Sequence, residues 1–379
     1  MSFLREAVDL NRYFSKENAE ARKITFYAES AVYYRYFKGY IQYILDHSTY
    51  DLCYISSEIT DPLFKDQNPR IRKFFLSKLF PYAGKHTDAR ALLYVMDDLH
   101  QMGVKRSFHP HVNHIYTMHT ASSTMTAHRE GAFDFYDTIF CIGPYQQEEI
   151  RAREKKYSLP TKTLVEVGYP YLDEIYKEQQ KGIVTPQEKM ILIAPSWHEG
   201  NLFETCMRPL VQSLLDGGWG VIVRPHAEHM KRNKEAVLQV GQTFEKNSRF
   251  QLELDLQKST GVQRASLLIT DWSGISFEWA FARERPVLFI NTKMKTPNKN
   301  YADLGIIPME VQIREQIGVN IALEAASQAC TYADALLENK ERYLTQIRAF
   351  REKILYNFTT SAKVGGDHIL SVVNTPPAT

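Results

Sequence analysis

Four cysteines in 379 residues, none in a CxxC pair, leave neither a disulfide framework nor a zinc ribbon to organise this chain. Cys53, Cys141, Cys206 and Cys330 are scattered and read as reduced, mostly buried thiols. No apolar run approaches the roughly 18 residues that a bilayer-spanning helix needs. The N-terminal stretch MSFLREAVDLNRYF carries charges every few positions and has no signal-peptide core, the pattern of a cytoplasmic protein. An excess of charge of one sign is missing as well. Against 46 Lys plus Arg stand 44 Asp plus Glu, so nothing marks a nucleic-acid surface and no nucleic-acid partner is expected. Neither GxxxxGK[ST] nor GxGxxG occurs, which leaves kinase and dehydrogenase chemistry without a motif. Internal repeats and low-complexity tracts are absent too.

What is present is the material of a large core, with 44% hydrophobic and 24% charged residues. The length exceeds the usual single-domain range, so two domains are expected. Short apolar runs alternate with helix-like stretches along both halves. The first half has ITFYAES (24–30), DLCYISSE (51–58), ALLYVMD (91–97), HIYTMHT (114–120), TIFCIG (138–143) and TLVEVGYP (163–170). The second has MILIAPSW (190–197), GVIVRPH (220–226), FQLELDL (250–256), LLITDW (267–272) and PVLFIN (286–291). Several are apolar throughout, as strands buried on both faces of a parallel sheet are. Strand–helix alternation of this kind implies an α/β fold of two Rossmann-like, doubly wound domains facing across a cleft.

The polar segment LDEIYKEQQKGIVTPQEKM (172–190) is the linker candidate. It divides the chain into a domain of residues 1–178 and a second of 179–379. From about Val319 the sequence turns helix-rich, a helical C-terminal tail that packs on either half or crosses back to the first. Residues 70–85, RIRKFFLSKLFPYAGK, place Ile71, Phe74, Phe75, Leu79 and Tyr82 on one helical stripe flanked by Arg70, Arg72, Lys73 and Lys78. That spacing predicts a basic amphipathic helix, either packed on its own domain or resting peripherally on an anionic membrane.

Four strand ends terminate in groups suited to chemistry. YTMHTASS places His119, Thr120 and Ser122 just past an apolar run. ILIAPSWHEGN does the same for Ser196, Trp197 and His198, and VIVRPH leaves Arg224 and His226 at its mouth. The fourth, LLITDWSGISFEWAFARERPVLFI, hands a buried strand to a helix through Thr270, Asp271, Ser273, Gly274 and Ser276. Ser273 or Asp271 is expected to cap that helix, whose first N–H groups would then receive a phosphate, with Gly274 allowing close approach. Glu278, a turn further on, could accept bonds from ribose hydroxyls. Arg224 offers a fork of donors to a second phosphate, and His226 a hydrogen bond or a proton. His119, in the other half, is the expected general base for an acceptor hydroxyl.

Structural explanations compete with each of these, namely an ordinary N-cap, a surface arginine and a satisfied strand-end histidine. His109, His111 and His114 suggest a metallohydrolase, but they precede or lie within the strand and lack an acidic ligand at HExxH spacing. HAEH (226–229) has the same weakness. No metal and no resident cofactor are expected.

The ordered pieces ILIAPSW, VIVRPH and LLITDWSGISFEWAFARERPVLFIN resemble the CDP-glycerol glycerophosphotransferase family, the teichoic-acid primases and polymerases. The likeness extends to MHTASSTMTAHREGAFDFYDTIFCIGPYQQEEI and VGYPYLD, and covers roughly residues 110–295. It implies a glycosyltransferase-B architecture and transfer of a polyol phosphate from a CDP-linked donor to a lipid-linked or capsular glycan, with CMP released. The family's essential histidines fall on His119 and His226, and its diphosphate-binding pattern on Thr270, Asp271, Ser273 and Gly274. Gly274 stands where the second Ser of that pattern belongs, and Thr120 and Ala121 depart from the family's HG-P-K. A nucleotide-sugar glycosyltransferase, a UDP-sugar 2-epimerase using Glu130, Asp134 or Asp137, and a non-catalytic nucleotide-binding scaffold are the alternative readings.

Overall fold

The computed structural model describes residues 2–100, 103–182, 186–255 and 260–376. Among the described residues thirteen strands form two sheets. The first contains β1 (Ile24–Ala28), β2 (Leu52–Ser56), β3 (Ile71–Phe75), β4 (Ala91–Tyr94), β5 (Asn113–Thr117), β6 (Thr138–Cys141) and β7 (Thr163–Glu166). Its order is β3-β2-β1-β4-β5-β6-β7, with every pairing parallel; Phe26, for example, sits between Tyr54 and Leu93. The second contains β8 (Met190–Ile193), β9 (Gly220–Val223), β10 (Phe250–Leu252), β11 (Leu267–Thr270), β12 (Val287–Asn291) and β13 (Gly318–Ala322). Its order is β10-β9-β8-β11-β12-β13, again parallel throughout. Both sheets reverse strand order once, between β1 and β4 and between β8 and β11. In doubly wound sheets the crevice at that reversal, beyond the strands' C-terminal ends, is where ligands bind.

The apolar runs form strands because both faces are covered: every residue of β1, β2, β4 and β11 is buried. Phe26, Phe37, Tyr54 and Ile115 anchor the core of the first sheet, and Trp219, Leu210, Val221 and Ile269 that of the second. Each core belongs to one compact unit. The first comprises residues up to Glu174, a short return at Asn300–Leu304, and the chain from Ile354 onward; the second comprises Ile175–Lys299 and Gly305–Lys353.

Three features differ from the sequence expectations. The chain leaves the first unit inside the helix Pro170–Gln180, within the polar segment read as a linker; residues 183–185 of that segment lie outside the described residues. The helical tail divides. Its helices Ala329–Glu338 and Lys340–Ile354 lie in the second unit except for Ile354, whereas the helix Ser361–Asn374 packs in the first, which withdraws the assignment of the whole tail to the second domain. The return is held by VGYPYLD: Asp173 accepts the N–H groups of Thr359 at 2.8 Å and Ser361 at 3.0 Å, and a β-carbon at Gly168 would collide with the Tyr356 carbonyl.

Residues 70–85 are not one amphipathic helix but the edge strand β3 followed by the helix Phe80–His86. Three of the four flanking basic residues are spent locally. Arg70 donates to the carbonyls of Leu45, Ser48 and Tyr50, Arg72 pairs with Asp51 at 3.0 Å, and Lys73 bonds the Asp66 carbonyl. A membrane-binding helix over 70–85 is therefore not part of this protein. Among the described residues no helix is long and apolar enough to cross a membrane. The last strand, β13, arises where a helical tail was expected to begin, at Val319.

Candidate functional site

In the second unit the loops after β8 and β11 meet at the strand reversal. Asp271 is fully buried there, and its Oδ1 accepts N–H bonds from Ser196 and Trp272, both at 2.7 Å. Thr270 Oγ1 donates to the Ala194 carbonyl at 2.7 Å, tying the same two strands. Ser196 Oγ lies 2.8 Å from His198 Nδ1, whose other nitrogen approaches Thr292 Oγ1 at 3.4 Å. Beneath them Arg314 donates to the Asp271 carbonyl at 2.8 Å and lies over Trp272 and Phe289 at 4.2 and 4.4 Å. Burial lowers the Arg314 pKa to about 10, still far above neutrality, so the loop rests on a permanent cation.

The helix Ile275–Arg283 begins beside this knot, but its expected side-chain cap is not made. Asp271 is turned toward Ser196, and the Ser273 carbonyl accepts both the N–H (3.2 Å) and the hydroxyl (2.9 Å) of Ser276. The N–H groups of Ser273, Gly274 and Ile275 consequently have no partner among the described residues. Gly274 has φ −59°, open to any residue, so glycine is not required there by conformation. Glu278 lies in the first turn of this helix.

Across the mouth of β8 and β9 the arrangement is cationic. The Trp197 ring carries Lys295 Nζ at 4.8 Å and Arg232 at 5.1 Å, with the His226 ring at 6.2 Å. Half-buried Lys295 has no carboxylate partner among the described residues, and burial lowers its pKa even though Asp271 pulls the other way. His226 Nδ1 accepts the Glu228 N–H at 3.2 Å, which in the neutral ring puts the proton on Nε2 and makes it a donor. Crowding of its ring by protein, then the charge of Lys295, pushes the His226 pKa down. Arg224 is paired with buried Glu253 at 2.7 Å, and Glu253 also takes the Gly261 N–H at 3.0 Å. That arginine therefore spends at least one arm joining the ends of β9 and β10.

In the first unit His119 emerges after β5, with its Nδ1 3.0 Å from the Tyr116 hydroxyl and its carbonyl accepting from Tyr169 at 3.0 Å. The loop beyond it is fixed by the helix Pro144–Tyr157. Tyr145 bonds the Ala121 carbonyl, Gln146 that of Ser122, and Glu149 takes both the N–H and the hydroxyl of Thr124. Thr120 Oγ1 pairs with Ser122 Oγ at 3.0 Å. Burial among rings, then the neighbouring His128, lowers the His119 pKa to about 4, so its imidazole is neutral at physiological pH.

Sequence reading missed the groups around it. Asp97, at the end of β4, bonds His128 at 3.0 Å, and Glu29, at the end of β1, is raised to about 7 by burial and by Asp97 and Asp98. Lys295 and Arg314 were likewise unmarked, since neither stands in a local motif. Conversely, Glu130 and Asp134 are engaged by Arg153, and Asp137 by Arg106 and the His114 N–H. His114 commits both ring nitrogens, to Tyr94 and to Ser107. Among the described residues no three His, Cys, Asp or Glu side chains converge as a metal ion requires.

Solved structures of low sequence identity share this fold. UDP-GlcNAc 2-epimerase from Neisseria meningitidis is 12% identical over 92% of this chain and 99% of its own, with a TM-score of 0.59. A putative UDP-N-acetylglucosamine 2-epimerase from Listeria monocytogenes is 12% identical over 94% and 98%, at 0.58. A glycosyltransferase from Rickettsia africae is 11% identical over 93% and 99%, at 0.52. These place the two parallel-sheet units in the glycosyltransferase-B fold class. No curated protein sequence matches the chain. The model of CDP-glycerol:poly(glycerophosphate) glycerophosphotransferases matches residues 91–313, more than half of the chain, a span that includes His119, His226 and the TDWSG turn. The chain belongs to that glycerophosphotransferase family.

Proposed function

We propose that this protein moves a polyol phosphate, glycerol phosphate or a close analogue, from a CDP-activated donor to a hydroxyl of a lipid-linked or capsular glycan, releasing CMP. The observation that carries the reading is the uncapped start of the helix Ile275–Arg283, three unpartnered N–H groups in the unit that also presents Lys295 and the Nε2 donor of His226. Such a set suits the diphosphate of a nucleotide, with the helix dipole and fixed cations stabilising charge as it develops. His119 takes the proton of the acceptor hydroxyl. Its oxygen forms the new bond to the phosphorus bearing the polyol, the bond from that phosphorus to the bridging oxygen breaks, and CMP departs with that oxygen and its charge. Asp271, a carboxylate, would repel phosphate; it serves by holding the loops that present the donors.

A nucleotide-sugar reading, glycosyl transfer or 2-epimerisation, draws support from Asp97 beside His119 and from Glu29 beside Asp97, carboxylates suited to proton transfer at carbon. Calorimetric titration with CDP, CDP-glycerol, UDP and UDP-GlcNAc separates the readings. CDP and CDP-glycerol are expected to bind preferentially, and Lys295→Ala to weaken them roughly 10- to 100-fold, as loss of one charge-assisted hydrogen bond does. Preferential binding of UDP compounds transfers the protein to the nucleotide-sugar enzymes. Absence of binding by all four removes both enzymatic readings.

A further inference from the structure

His128 is 3% exposed, yet only one of its nitrogens is satisfied. Nδ1 lies 3.0 Å from Asp97 Oδ2, whereas the buried Nε2 has no hydrogen-bond partner among the described residues. A carboxylate so placed keeps a proton on Nδ1, because one of the two atoms must donate. The His128 ring then meets the His119 ring edge to face, centroids 5.5 Å apart and planes at 85°. A hydrophobic residue would fill this space at lower cost, since a buried imidazole nitrogen without a partner is unfavourable.

We propose that Asp97 and His128 are positioning residues for His119, the carboxylate orienting one imidazole and that imidazole holding the second and setting its protonation. The proposal rests on the transfer reading only for the task His119 performs.

The surroundings support an electrostatic role. Asp97 and Asp98 approach from the end of β4 and Glu29 from the end of β1, and Arg129 stands 3.8 Å from Asp98 as a counter-charge. Tyr33 and Tyr36 place their rings 5.9 Å from His119, and Tyr116 and Tyr169 bond it. After burial, the neighbouring His128 is the strongest influence against protonating His119, and Asp97 is the main opposing one. The two members of the pair thus act on one ring in opposite senses.

Histidine-labelled NMR of the full chain tests this without any substrate. In the wild type, nitrogen shifts should show His128 carrying its proton on Nδ1, and His119 should stay neutral through pH 5. His128→Gln should raise the His119 midpoint by about half a pH unit or more, and adding Asp97→Asn should lower it again. Identical His119 titrations in the three proteins, or a neutral wild-type His128 protonated on Nε2, would overturn the proposal. The tautomer measurement needs no variant, so it decides even if His128→Gln fails to fold. Turnover of CDP-glycerol by the same proteins separates the two claims. Shifted titrations without turnover keep the pair and remove the transfer reading, while turnover with unshifted titrations removes the pair alone.

Discussion

Asp271 binds two backbone N–H groups with one oxygen, and both belong to loops that carry site residues. Leaving the buried Ser196 donor unpaired costs about 1–3 kcal/mol and the part-buried Trp272 donor less, so Asp271→Ala should lower stability by about 1–4 kcal/mol in urea denaturation. Asp271→Asn retains an acceptor oxygen and should keep most of that stability. Equal losses in the two variants would show that the carboxyl oxygen does not organise the loops. The residue was visible in the sequence as part of TDWSG, but its task was not. Read locally, it looked like a helix cap; in space its oxygen reaches Ser196, 75 positions earlier. Lys295 illustrates the opposite case. Nothing in NTKMKTPNKN marks one lysine over another, and only the fold sets this one over Trp197.

Secondary-structure elements were legible where an apolar run stood alone, and the two that were missed both lie at sheet edges. Eleven apolar runs were expected to form strands, and the start of each coincides with that of one to within a residue. The two further strands, β3 and β13, lie at sheet edges. Ile71, Phe74 and Phe75 fit a helical stripe and an edge strand equally well, because spacing over five residues does not separate the two periods. What decides is partner backbone: β2 offers a ladder, and the helix Ser2–Tyr13 covers the edge. Its Asp9 accepts the Phe75 N–H at 3.0 Å, and Glu6 accepts those of Ser77 and Leu79. The helix Ser361–Asn374 depends on small residues in the same way. Gly365 and Gly366 lie against Tyr40 and Tyr43 of the helix Tyr34–His47, and a β-carbon at either would collide with a ring. Gly365→Ala should therefore destabilise by roughly 1–3 kcal/mol, outweighing any gain in helix propensity. A thermal melt in which the variant is more stable than wild type would contradict that packing.

At the scale of the whole molecule, buried neutral histidines set the response to acid. Burial lowers His114 to about 3 and His119 to about 4, from an ordinary value of 6.5. Below 6.5 the unfolded chain takes up protons that the folded chain refuses, so stability present above that pH is lost as it falls toward 4. Each such histidine costs about 1.4 kcal/mol per pH unit over that window. Glu29 acts with the opposite sign. Raised to about 7, it favours the folded state as pH drops, but it keeps an exposed face and offsets only part of the loss. Denaturant midpoints at pH 7, 5.5 and 4.5 should fall steadily, and a flat profile would mean these rings are already charged in the folded state. The sequence by itself determined the two doubly wound sheets and the polar residues that follow their strands, because buried parallel strands and the turns that end them are written in contiguous residues. Tertiary structure alone decided that His128 meets His119, that Lys295 joins Trp197, and that the C-terminal helix returns to the first unit. Those pairings join residues far apart along the chain or unmarked by any local pattern, and burial, packing and hydrogen bonding select them only once the chain has closed on itself.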